Sequence, residues 1–360
     1  MERIAVLTSG GDAPGMNAAI RAIVKVAASR GIPCTGVERG FDGLIDGQFI
    51  DLTRTTPEGL VPVRGVQRAG NAGGTMLGSA RSDRFRTPEG RAEAATRLAD
   101  AGVDGLVVIG GNGSLTGAHL LAAETSTCVV GLPGSIDNDV GCTASAIGVD
   151  TALNTIVDAC DRIADTAQAH QRAFIVEVMG RQSGYLAMTS AVASAADGVL
   201  LPEVARSREE ILANTSALTL RAFATDRLKS HVLIIKAEGV DYPCTDLAAD
   251  LEDRLAGTQV DVRATVLGHV QRGGRPSSFD RMIAGRMGLV AVESLAGEVT
   301  DRMVAWQATV RGGESTSDPQ LRLFPLAEVL AETSAMADGT SWVTRWRAER
   351  MEAIHGILAL

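Results

Sequence analysis

Aromatic side chains, paired cysteines and long apolar runs are all scarce in this chain of 360 residues. Aromatic residues make up 3% of the composition, and the five cysteines include no CxxC pair. This usage excludes a zinc-ribbon or disulfide-scaffold protein and predicts reduced, mostly buried thiols in a cytoplasmic protein. No apolar run reaches the roughly 18 to 20 residues of a transmembrane helix. The opening stretch MERIAVLTSGG lacks the basic and apolar regions of a secretory signal.

An excess of positive charge is also absent. The formal net charge is −9, so the overall field repels nucleic acid and anionic lipid. We therefore expect neither nucleic acid nor a membrane as a partner. Any phosphate that the chain binds must meet a local group of arginines and backbone N–H groups.

Glycine is abundant, with 40 residues, and many glycines end short unbroken apolar runs such as GLVVIGG and HVLIIKAEG. Unbroken apolar character is typical of strands buried on both faces of a parallel sheet. Helical spacing lies between the runs: apolar residues recur at helical intervals from Ile20 to Ala27 and from Leu153 to Ala167, and Thr87 followed by Pro88 predicts a helix start. Strand, glycine turn and helix in alternation predict α/β units, and the length favours two of them. The polar segment 311–320 predicts a loop, and segment 341–360 a core-capping helix.

Two glycine turns follow predicted strands. In TSGGDAPGMN (residues 8–17) the glycines have P-loop spacing, but Met16 and Asn17 replace the required Lys and Ser/Thr. In GGNGSLTG (residues 110–117) the spacing GxGxxxG is one residue longer than the dinucleotide fingerprint. Each turn is open to two interpretations, a phosphate cradle at a helix start or a tight turn without a ligand. A nicotinamide oxidoreductase stays an alternative, disfavoured because no acidic residue ends a clear second strand downstream.

The stretch GLPGSIDND (residues 131–139) places Asp137, Asn138 and Asp139 directly after a predicted buried strand. A carboxylate at this edge of a sheet can accept the proton of an attacking hydroxyl or hold a metal. An Asx-rich turn that caps the next helix is the competing interpretation. Arginines at strand ends and glycine turns favour phosphate clamps, with His269 among them; they are Arg81, Arg86, Arg172, Arg181, Arg263 and Arg272.

Five motifs together resemble the ATP-dependent 6-phosphofructokinase family. In the family's order they are LTSGGDAPGMNAAIR, GGTMLGSAR, GLPGSIDND, HQRAFIVEVMGRQSGY and RATVLGHVQRGG, and they cover most of residues 1–290. The resemblance implies two Rossmann-like three-layer α/β domains with largely parallel sheets and the active site in the cleft between them. The implied larger, ATP-binding domain comprises residues 1–148 and 271–321. The implied smaller, fructose 6-phosphate-binding domain comprises residues 149–270 and 322–360.

The resemblance further implies phosphoryl transfer from MgATP to the 1-hydroxyl of fructose 6-phosphate in glycolysis. Asp137 would be the base, Ser135 would hydrogen-bond the substrate, and Arg81 and Arg181 would offset charge on the transferring group. ATP contacts are implied for Gly11, Arg81, Ser82, Gly111, Asn112, Gly113 and Ser114. Fructose 6-phosphate contacts are implied for Ser135, Ile136, Asp137, Arg172, Met179, Gly180, Arg181, Glu238, Arg263, His269 and Arg272. In the family the arginines matching Arg172 and Arg263 come from a neighbouring subunit, which implies a homotetramer with shared active sites.

Gly113, Gly134 and Asn112 bear on which phosphoryl donor is used and on the metal site. Pyrophosphate-using relatives carry an aspartate at the position of Gly113 and a lysine at that of Gly134, so two glycines favour ATP. Asn112 stands where the family usually has a Mg²⁺-binding aspartate, and an amide has one carbonyl oxygen but no negative charge. With Asp139 as the other implied metal ligand, we expect weaker Mg²⁺ binding with the chemistry retained. A pyrophosphate-dependent enzyme and a catalytically impaired regulatory paralogue are the alternatives.

An allosteric site between subunits is implied by basic residues at the family's effector positions. The implied set is Arg21, Lys25, Arg54, Asp197, Arg227 and Lys229. The set is incomplete because Ala164 stands where the family often has arginine, and Asp197 where it has glutamate. The loss of one guanidinium removes a bidentate phosphate contact, so the sequence leaves the response to effectors open.

Overall fold

The apolar runs form strands and the amphipathic segments form helices in the computed structural model, which describes residues 1–224, 229–309, 311–346 and 349. The strands are β1 (Ile4–Ser9), β2 (Cys34–Val37), β3 (Phe49–Asp51), β4 (Thr53–Thr56), β5 (Gly59–Pro62), β6 (Gly105–Gly110), β7 (Cys128–Pro133), β8 (Arg172–Val178), β9 (Gly198–Leu200), β10 (Val232–Ala237), β11 (Asp261–Val266), β12 (Arg302–Trp306), β13 (Glu314–Ser315) and β14 (Leu321–Pro325). The α-helices are α1 (Met16–Ser29), α2 (Gly40–Asp46), α3 (Arg64–Ala69), α4 (Pro88–Asp100), α5 (Asn112–Glu124), α6 (Val149–His170), α7 (Tyr185–Ala193), α8 (Arg208–Ala222), α9 (Cys244–Arg254), α10 (Ser278–Ala296) and α11 (Leu326–Ala337). Short 3-10 helices span Arg84–Arg86 and Gly268–Arg272.

The chain divides into two compact units. The first contains Met1–Ile136, Val140–Thr151 and Arg272–Ser334, and the second contains Asp137–Asp139, Ala152–Gln271 and the chain from Ala335 onward. We expected residues 322–334 in the smaller domain, and the structure differs there. They belong to the first unit because β14 pairs with β12 and Val329 of α11 packs into the core of that unit.

The first unit is built on a mixed sheet in the order β13-β14-β12-β7-β6-β1-β2-β3. The strands from β12 to β2 are parallel to their neighbours, whereas β3 and β14 run antiparallel at the two sides. The residues of β1 and β6 are all buried, as expected for strands covered on both faces. Because β2 and β6 lie on opposite sides of β1, the strand order reverses beside β1, where α/β sheets bind ligands.

The second unit contains a parallel sheet in the order β11-β8-β10-β9. Its strand β10 is fully buried and includes the lysine Lys236, whose Nζ lies 2.9 Å from Oε2 of Glu177 on the adjacent strand β8. Lys236 and Glu177 occupy paired positions in the register of the two strands. The carboxyl ends of β8 and β10 therefore lie side by side at one edge of this sheet.

The helices confirm the predicted spacing. Helix α1 buries Ile20, Ile23, Val24 and Ala27, which is the apolar set of the sequence. Helix α4 begins at Pro88, with Thr87 as the N-cap that accepts a hydrogen bond from Gly90 N. The amphipathic segment that starts near Leu153 forms α6. The fold class is thus confirmed as α/β with largely parallel sheets.

Two predictions near the carboxyl end have different outcomes. The polar segment 311–320 is not wholly a loop, because it contains β13, which pairs antiparallel with β14. The predicted helix over residues 341–360 falls mostly on 347, 348 and 350–360, which lie outside the described residues.

The five cysteines are free, and Cys34, Cys160 and Cys244 are buried. Burial raises the pKa of Cys34 and Cys142 to about 12 and the pKa of Cys160 and Cys244 to about 11. These thiols are protonated at neutral pH and poor nucleophiles. Among the described residues, no helix combines the length and apolarity that a bilayer crossing requires.

Candidate active site

Three glycine turns meet at the carboxyl ends of β1, β6 and β7 in the first unit. Gly134 N donates a hydrogen bond to Gly110 O at 2.9 Å, which joins the turns after β7 and β6. A Cβ atom on Gly111 would lie 3.7 Å from Cβ of Ser135, so Ser135 stands directly beside the turn that opens α5. The structure therefore brings the candidate residues Gly111 and Ser135 together.

The turn after β1 approaches the same place. A Cβ atom on Gly10 would lie 3.2 Å from Oγ of Ser114, and the φ of Gly10 is +84°, a left-handed value that favours glycine. A Cβ atom on Gly11 would lie 2.8 Å from Nη1 of Arg272, and the same guanidinium nitrogen donates to Asp12 O at 3.3 Å. Any side chain at position 11 would displace Arg272, so the structure places one candidate substrate arginine against the turn after β1.

Asn112 and Gly113 form the first turn of α5. Asn112 is exposed, and its backbone carbonyl accepts a hydrogen bond from Oγ1 of Thr116 at 3.0 Å. A Cβ atom on Gly113 would meet no atom within 4 Å. The first N–H groups of a helix have no partners within the helix and favour anions. The turn thus leaves open space and backbone donors at the candidate nucleotide site.

Arg81 and Ser82 lie on a segment tied to the end of β1. Oγ1 of Thr8 donates to Gly78 O at 2.8 Å, and Oγ of Ser79 donates to Gly10 O. Arg81 is exposed, and Oγ of Ser82 accepts from Phe85 N at 3.1 Å. These anchors place the segment with Arg81 beside the turn after β1.

Asp137 is the buried carboxylate of the second unit, with 1% of its surface exposed. Its Oδ2 lies 3.3 Å from Nε of Arg181, and the Arg181 side chain is half exposed. This contact pairs the buried carboxylate with a positive charge that solvent can reach. Asn138, the next residue, has a left-handed φ of 49°, and Asp139 is partly exposed.

The turn after β8 is held by the carboxylate of Glu238, which follows β10. Oε1 of Glu238 accepts hydrogen bonds from Gly180 N at 3.1 Å and from Arg181 N at 2.6 Å. Gly180 has a φ of 140° and Arg181 a left-handed φ of 53°. Left-handed backbone costs a residue with a side chain about 1–2 kcal/mol, and the two hydrogen bonds to Glu238 offset this cost. The structure thus brings the candidate residues Met179, Gly180, Arg181 and Glu238 together.

Known proteins are similar to this chain in sequence and in fold. The sequence profile of the family described as Phosphofructokinase matches residues 3–295. An ATP-dependent 6-phosphofructokinase of Thermotoga neapolitana is 47% identical over 308 residues, which are 85% of this chain and 90% of that protein. An enzyme of the same name from Clostridium acetobutylicum is 46% identical over 304 residues, 84% of this chain and 89% of that one. The chain belongs to the phosphofructokinase family.

Solved structures agree with this membership. Phosphofructokinase from Saccharomyces cerevisiae is 33% identical with a TM-score of 0.80, and the match covers all of this chain but 48% of the yeast chain. The present chain therefore spans about half the length of that relative. A pyrophosphate-dependent phosphofructokinase from Marinobacter aquaeolei shares the fold, with a TM-score of 0.75 and 19% sequence identity. The match covers 91% of this chain and 84% of the Marinobacter chain.

In this member of the phosphofructokinase family, Arg172 and Arg263 lie apart from the turn after β8. Arg172 begins β8, on the order of 20 Å along the strand from its carboxyl end at a rise of about 3.3 Å per residue. Nε of Arg172 and Nη2 of Arg263 each lie 3.0 Å from Oδ2 of Asp261. The structure therefore groups these two arginines with Asp261 and not with Arg181.

The described residues among the predicted effector set are divided between the two units. Arg21 and Lys25 are exposed on α1 and Arg54 on β4, all in the first unit. In the second unit Asp197 is buried, forms an ion pair with Lys229 and accepts from Leu233 N at 2.9 Å. This ion pair removes part of the positive charge that an anionic effector would meet. Arg227 lies outside the described residues.

Asn112 in the first unit and Asp139 in the second are each, taken separately, of a residue type that suits a magnesium ion arriving with a nucleotide. Among the described residues no group of three or more His, Cys, Asp or Glu side chains could hold a metal by itself. One amide oxygen and one carboxylate nevertheless suit Mg²⁺, which usually keeps several waters and takes most of its other ligands from phosphates. The chain therefore offers partial coordination only.

Two buried polar residues, one in each unit, were missed by the sequence interpretation. Asp280 is fully buried and accepts hydrogen bonds from Gly148 N at 2.9 Å and Thr151 N at 2.8 Å, which fixes the start of α6. Burial raises the pKa of Asp280, and the hydrogen bonds from Thr151 and Gly148 oppose this shift. Gln271 is also fully buried. Its position between His269 and Arg272 could have marked Gln271 as a site residue, because a residue flanked by two candidate substrate contacts is well placed to orient them.

Proposed function

We propose that the chain transfers the γ-phosphoryl group of ATP to the 1-hydroxyl of fructose 6-phosphate. Asp137 accepts the hydroxyl proton, and the freed oxygen forms a bond to the γ-phosphorus. The bond from that phosphorus to the β,γ-bridging oxygen breaks, and ADP leaves with the electron pair. The proposal adopts for this chain the activity in the name of the relatives that are 46–47% identical.

One observation carries the proposal: a buried carboxylate, Asp137, lies 3.3 Å from the half-exposed guanidinium of Arg181. A base of this reaction must be ionised, fixed and close to a cation, because phosphoryl transfer depends mainly on positioning and charge stabilisation. We propose that the Arg181 guanidinium offsets the charge that develops on the transferring phosphoryl group.

The remaining roles follow the division into two units only in part. We propose that the first unit binds ATP through its glycine turns, and that the second unit supplies most of the fructose 6-phosphate residues, with Ser135, Ile136 and Arg272 coming from the first unit. The proposed ATP residues are Gly11, Arg81, Ser82, Gly111, Asn112, Gly113 and Ser114. The proposed sugar-phosphate residues are Ser135, Ile136, Asp137, Met179, Gly180, Arg181, Glu238, His269 and Arg272, with Arg172 and Arg263 serving a neighbouring subunit of a homotetramer.

The choice of ATP over pyrophosphate is supported by Gly113. The space around its Cβ position is open for 4 Å, which leaves room for the nucleotide part of the donor. At Gly134 a Cβ atom would lie 3.0 Å from Cε of Met16 and 3.2 Å from Cγ2 of Ile109. Glycine at position 134 is therefore also favoured by packing, whatever the donor.

Magnesium is proposed as the cofactor, held by Asn112, Asp139 and the nucleotide phosphates. When bound, it neutralises phosphate charge and polarises the transferring group. Since Asn112 lacks the charge of an aspartate, we expect a higher Mg²⁺ requirement. The enzyme is proposed to act in glycolysis in the cytoplasm.

The test is production of fructose 1,6-bisphosphate by the purified chain from fructose 6-phosphate, with ATP or pyrophosphate as donor, over a range of Mg²⁺ concentrations. Turnover with ATP that saturates at elevated Mg²⁺ supports the proposal. Turnover with pyrophosphate alone would overturn the choice of donor. A folded chain that binds fructose 6-phosphate without any turnover would indicate a regulatory paralogue.

A further inference from the structure

Gln271 makes two hydrogen bonds that join two candidate substrate segments of the second unit. Its Oε1 accepts from Met179 N at 3.1 Å, in the turn after β8. Its Nε2 donates to Gly268 O at 2.9 Å, at the start of the 3-10 helix that carries His269. The side chain is fully buried, so solvent cannot replace either partner without a rearrangement.

The chemistry of both ends requires an amide. The partner at Met179 is a donor and the partner at Gly268 is an acceptor, so the side chain must accept at one atom and donate at the other. A carboxylate would place a second acceptor against Gly268 O, and an apolar side chain would leave both backbone groups without this partner. Buried backbone groups that lose a partner are costly, and the chain shifts to recover one.

Gln271 also completes the support of the turn after β8. Three successive N–H groups, those of Met179, Gly180 and Arg181, donate to side-chain oxygens: the first to Gln271 and the other two to Glu238. This turn contains two residues with positive φ, Gly180 and Arg181, and positive φ at a residue with a side chain persists only where the surroundings hold it. Glu238 is itself a proposed sugar-phosphate residue, whereas Gln271 is wholly internal.

We propose that Gln271 is a positioning residue that sets the spacing between the turn Met179–Arg181 and His269, and thereby the affinity for fructose 6-phosphate. This inference rests on the proposed function, because it takes both segments as contacts of that substrate. A shift of about 1 Å between contact groups is enough for a large loss of binding or rate. The donor nucleotide should be affected far less, because its proposed contacts lie in the other unit.

The test compares Gln271→Met with a matched control, Gln307→Met. Gln307 is also a buried amide, and its Nε2 donates to the backbone carbonyl of Cys142 in the first unit. For Gln271→Met we expect the KM for fructose 6-phosphate to rise about tenfold, which corresponds to one strong polar contact, while the KM for ATP changes less than about twofold. Amide hydrogen exchange at Met179 should become faster. Gln307→Met should alter neither KM.

Equal changes in the two KM values, or the same changes in Gln307→Met, would overturn the inference, since a purely structural role acts on both substrates. An unchanged KM for fructose 6-phosphate would do so as well. If Gln271→Met does not fold, Gln271→Glu keeps the acceptor for Met179 and loses the donor to Gly268. It should raise the same KM while Met179 stays protected, and an unaltered KM would contradict the inference. Calorimetric titration of the unmodified protein with fructose 6-phosphate separates the two claims, because failure to bind there overturns the proposed function itself.

Discussion

Nε of Arg181 lies 3.3 Å from Oδ2 of Asp137, and the Arg181 backbone that presents this guanidinium is left-handed, with a φ of 53°. The conformation turns the arginine back towards a carboxylate that is distant in sequence. A β-carbon in this region of φ and ψ is unfavourable, so the arrangement depends on the acceptor that Glu238 provides for Arg181 N. The position of the Arg181 charge beside Asp137 therefore depends on the backbone conformation of the turn after β8.

Replacement of Asp137 by asparagine tests the base directly. We expect Asp137→Asn to lower kcat by about 10²–10⁴-fold, the usual contribution of a general base, because an amide cannot accept the hydroxyl proton. Binding of fructose 6-phosphate, measured by calorimetry, should be retained. The control is Asp246→Asn, which removes an exposed carboxylate of α9 in the same unit. Equal kcat values for Asp137→Asn and the control would contradict the assignment.

Replacement of Asn112 by aspartate should lower the Mg²⁺ concentration that gives half-maximal activity. A carboxylate adds charge and a second oxygen for the metal, and a negative charge in the first turn of α5 also favours the helix. Asn214→Asp, an exposed change on α8, is the control. A Mg²⁺ titration in which all three proteins coincide would show that position 112 does not contribute to the metal site.

The two glycines of the donor site should respond differently to substitution. Gly113→Asp enters open space, so we expect an unchanged thermal midpoint and a raised KM for ATP. Gly134→Lys must displace Met16 or Ile109, and overpacking of this kind costs about 1–3 kcal/mol. Urea unfolding and ATP kinetics on both variants measure the difference. Loss of stability in Gly113→Asp would mean that the space at that position is not free.

The buried pair of Lys236 and Glu177 should behave as one unit. Lys236→Met removes one partner of a largely buried ion pair. Such a change usually lowers the free energy of unfolding by about 3 kcal/mol or more. We expect a smaller loss here, because Glu177 keeps 19% of its side-chain surface exposed to water. The double variant Glu177→Gln with Lys236→Met should recover most of the loss, since no charge is then left without its partner. Urea unfolding of the single and double variants gives the coupling free energy, and strictly additive losses would contradict this account.

Asp318 and Arg286 should make stability depend on pH in the acid range. The hydrogen bond from Arg286 is the main cause that holds the pKa of Asp318 below its usual 3.8. A lowered folded-state pKa stabilises the protein above the unfolded-state pKa, and this contribution is lost as the pH falls through the folded value. We expect Asp318→Asn to lose about 1–2 kcal/mol at pH 7, and the difference from the unmodified protein to shrink below about pH 4. A constant difference from pH 7 to pH 3 would exclude this linkage.

The sequence pattern correctly predicted the strands, helix starts and glycine turns that depend on neighbouring residues. The unbroken apolar run at residues 105–110 became β6, and Thr87 with Pro88 marked the start of α4 as a capping side chain and an N1 proline should. The glycine turns were located for the same reason, because they follow buried strands. Their meeting at one edge followed from the general rule for parallel sheets.

The features that the sequence did not predict depend on contacts between distant segments. Strand β13 lies in a polar segment and exists because β14 offers a pairing edge. The left-handed φ of Arg181 cannot be read from neighbours such as Gly180, since it is held by a carboxylate 57 positions away. Gln271 looks like an ordinary polar residue until the fold buries it against Met179.

The two outermost strands of the sheet in the first unit, β3 and β13, are three and two residues long. A sheet edge with many unpaired N–H and C=O groups is a template on which another chain can add a strand. Edges this short offer only one or two such hydrogen bonds, so extension of this sheet from molecule to molecule into fibrils is disfavoured. The unit can therefore be concentrated with little risk of edge-to-edge aggregation through this sheet.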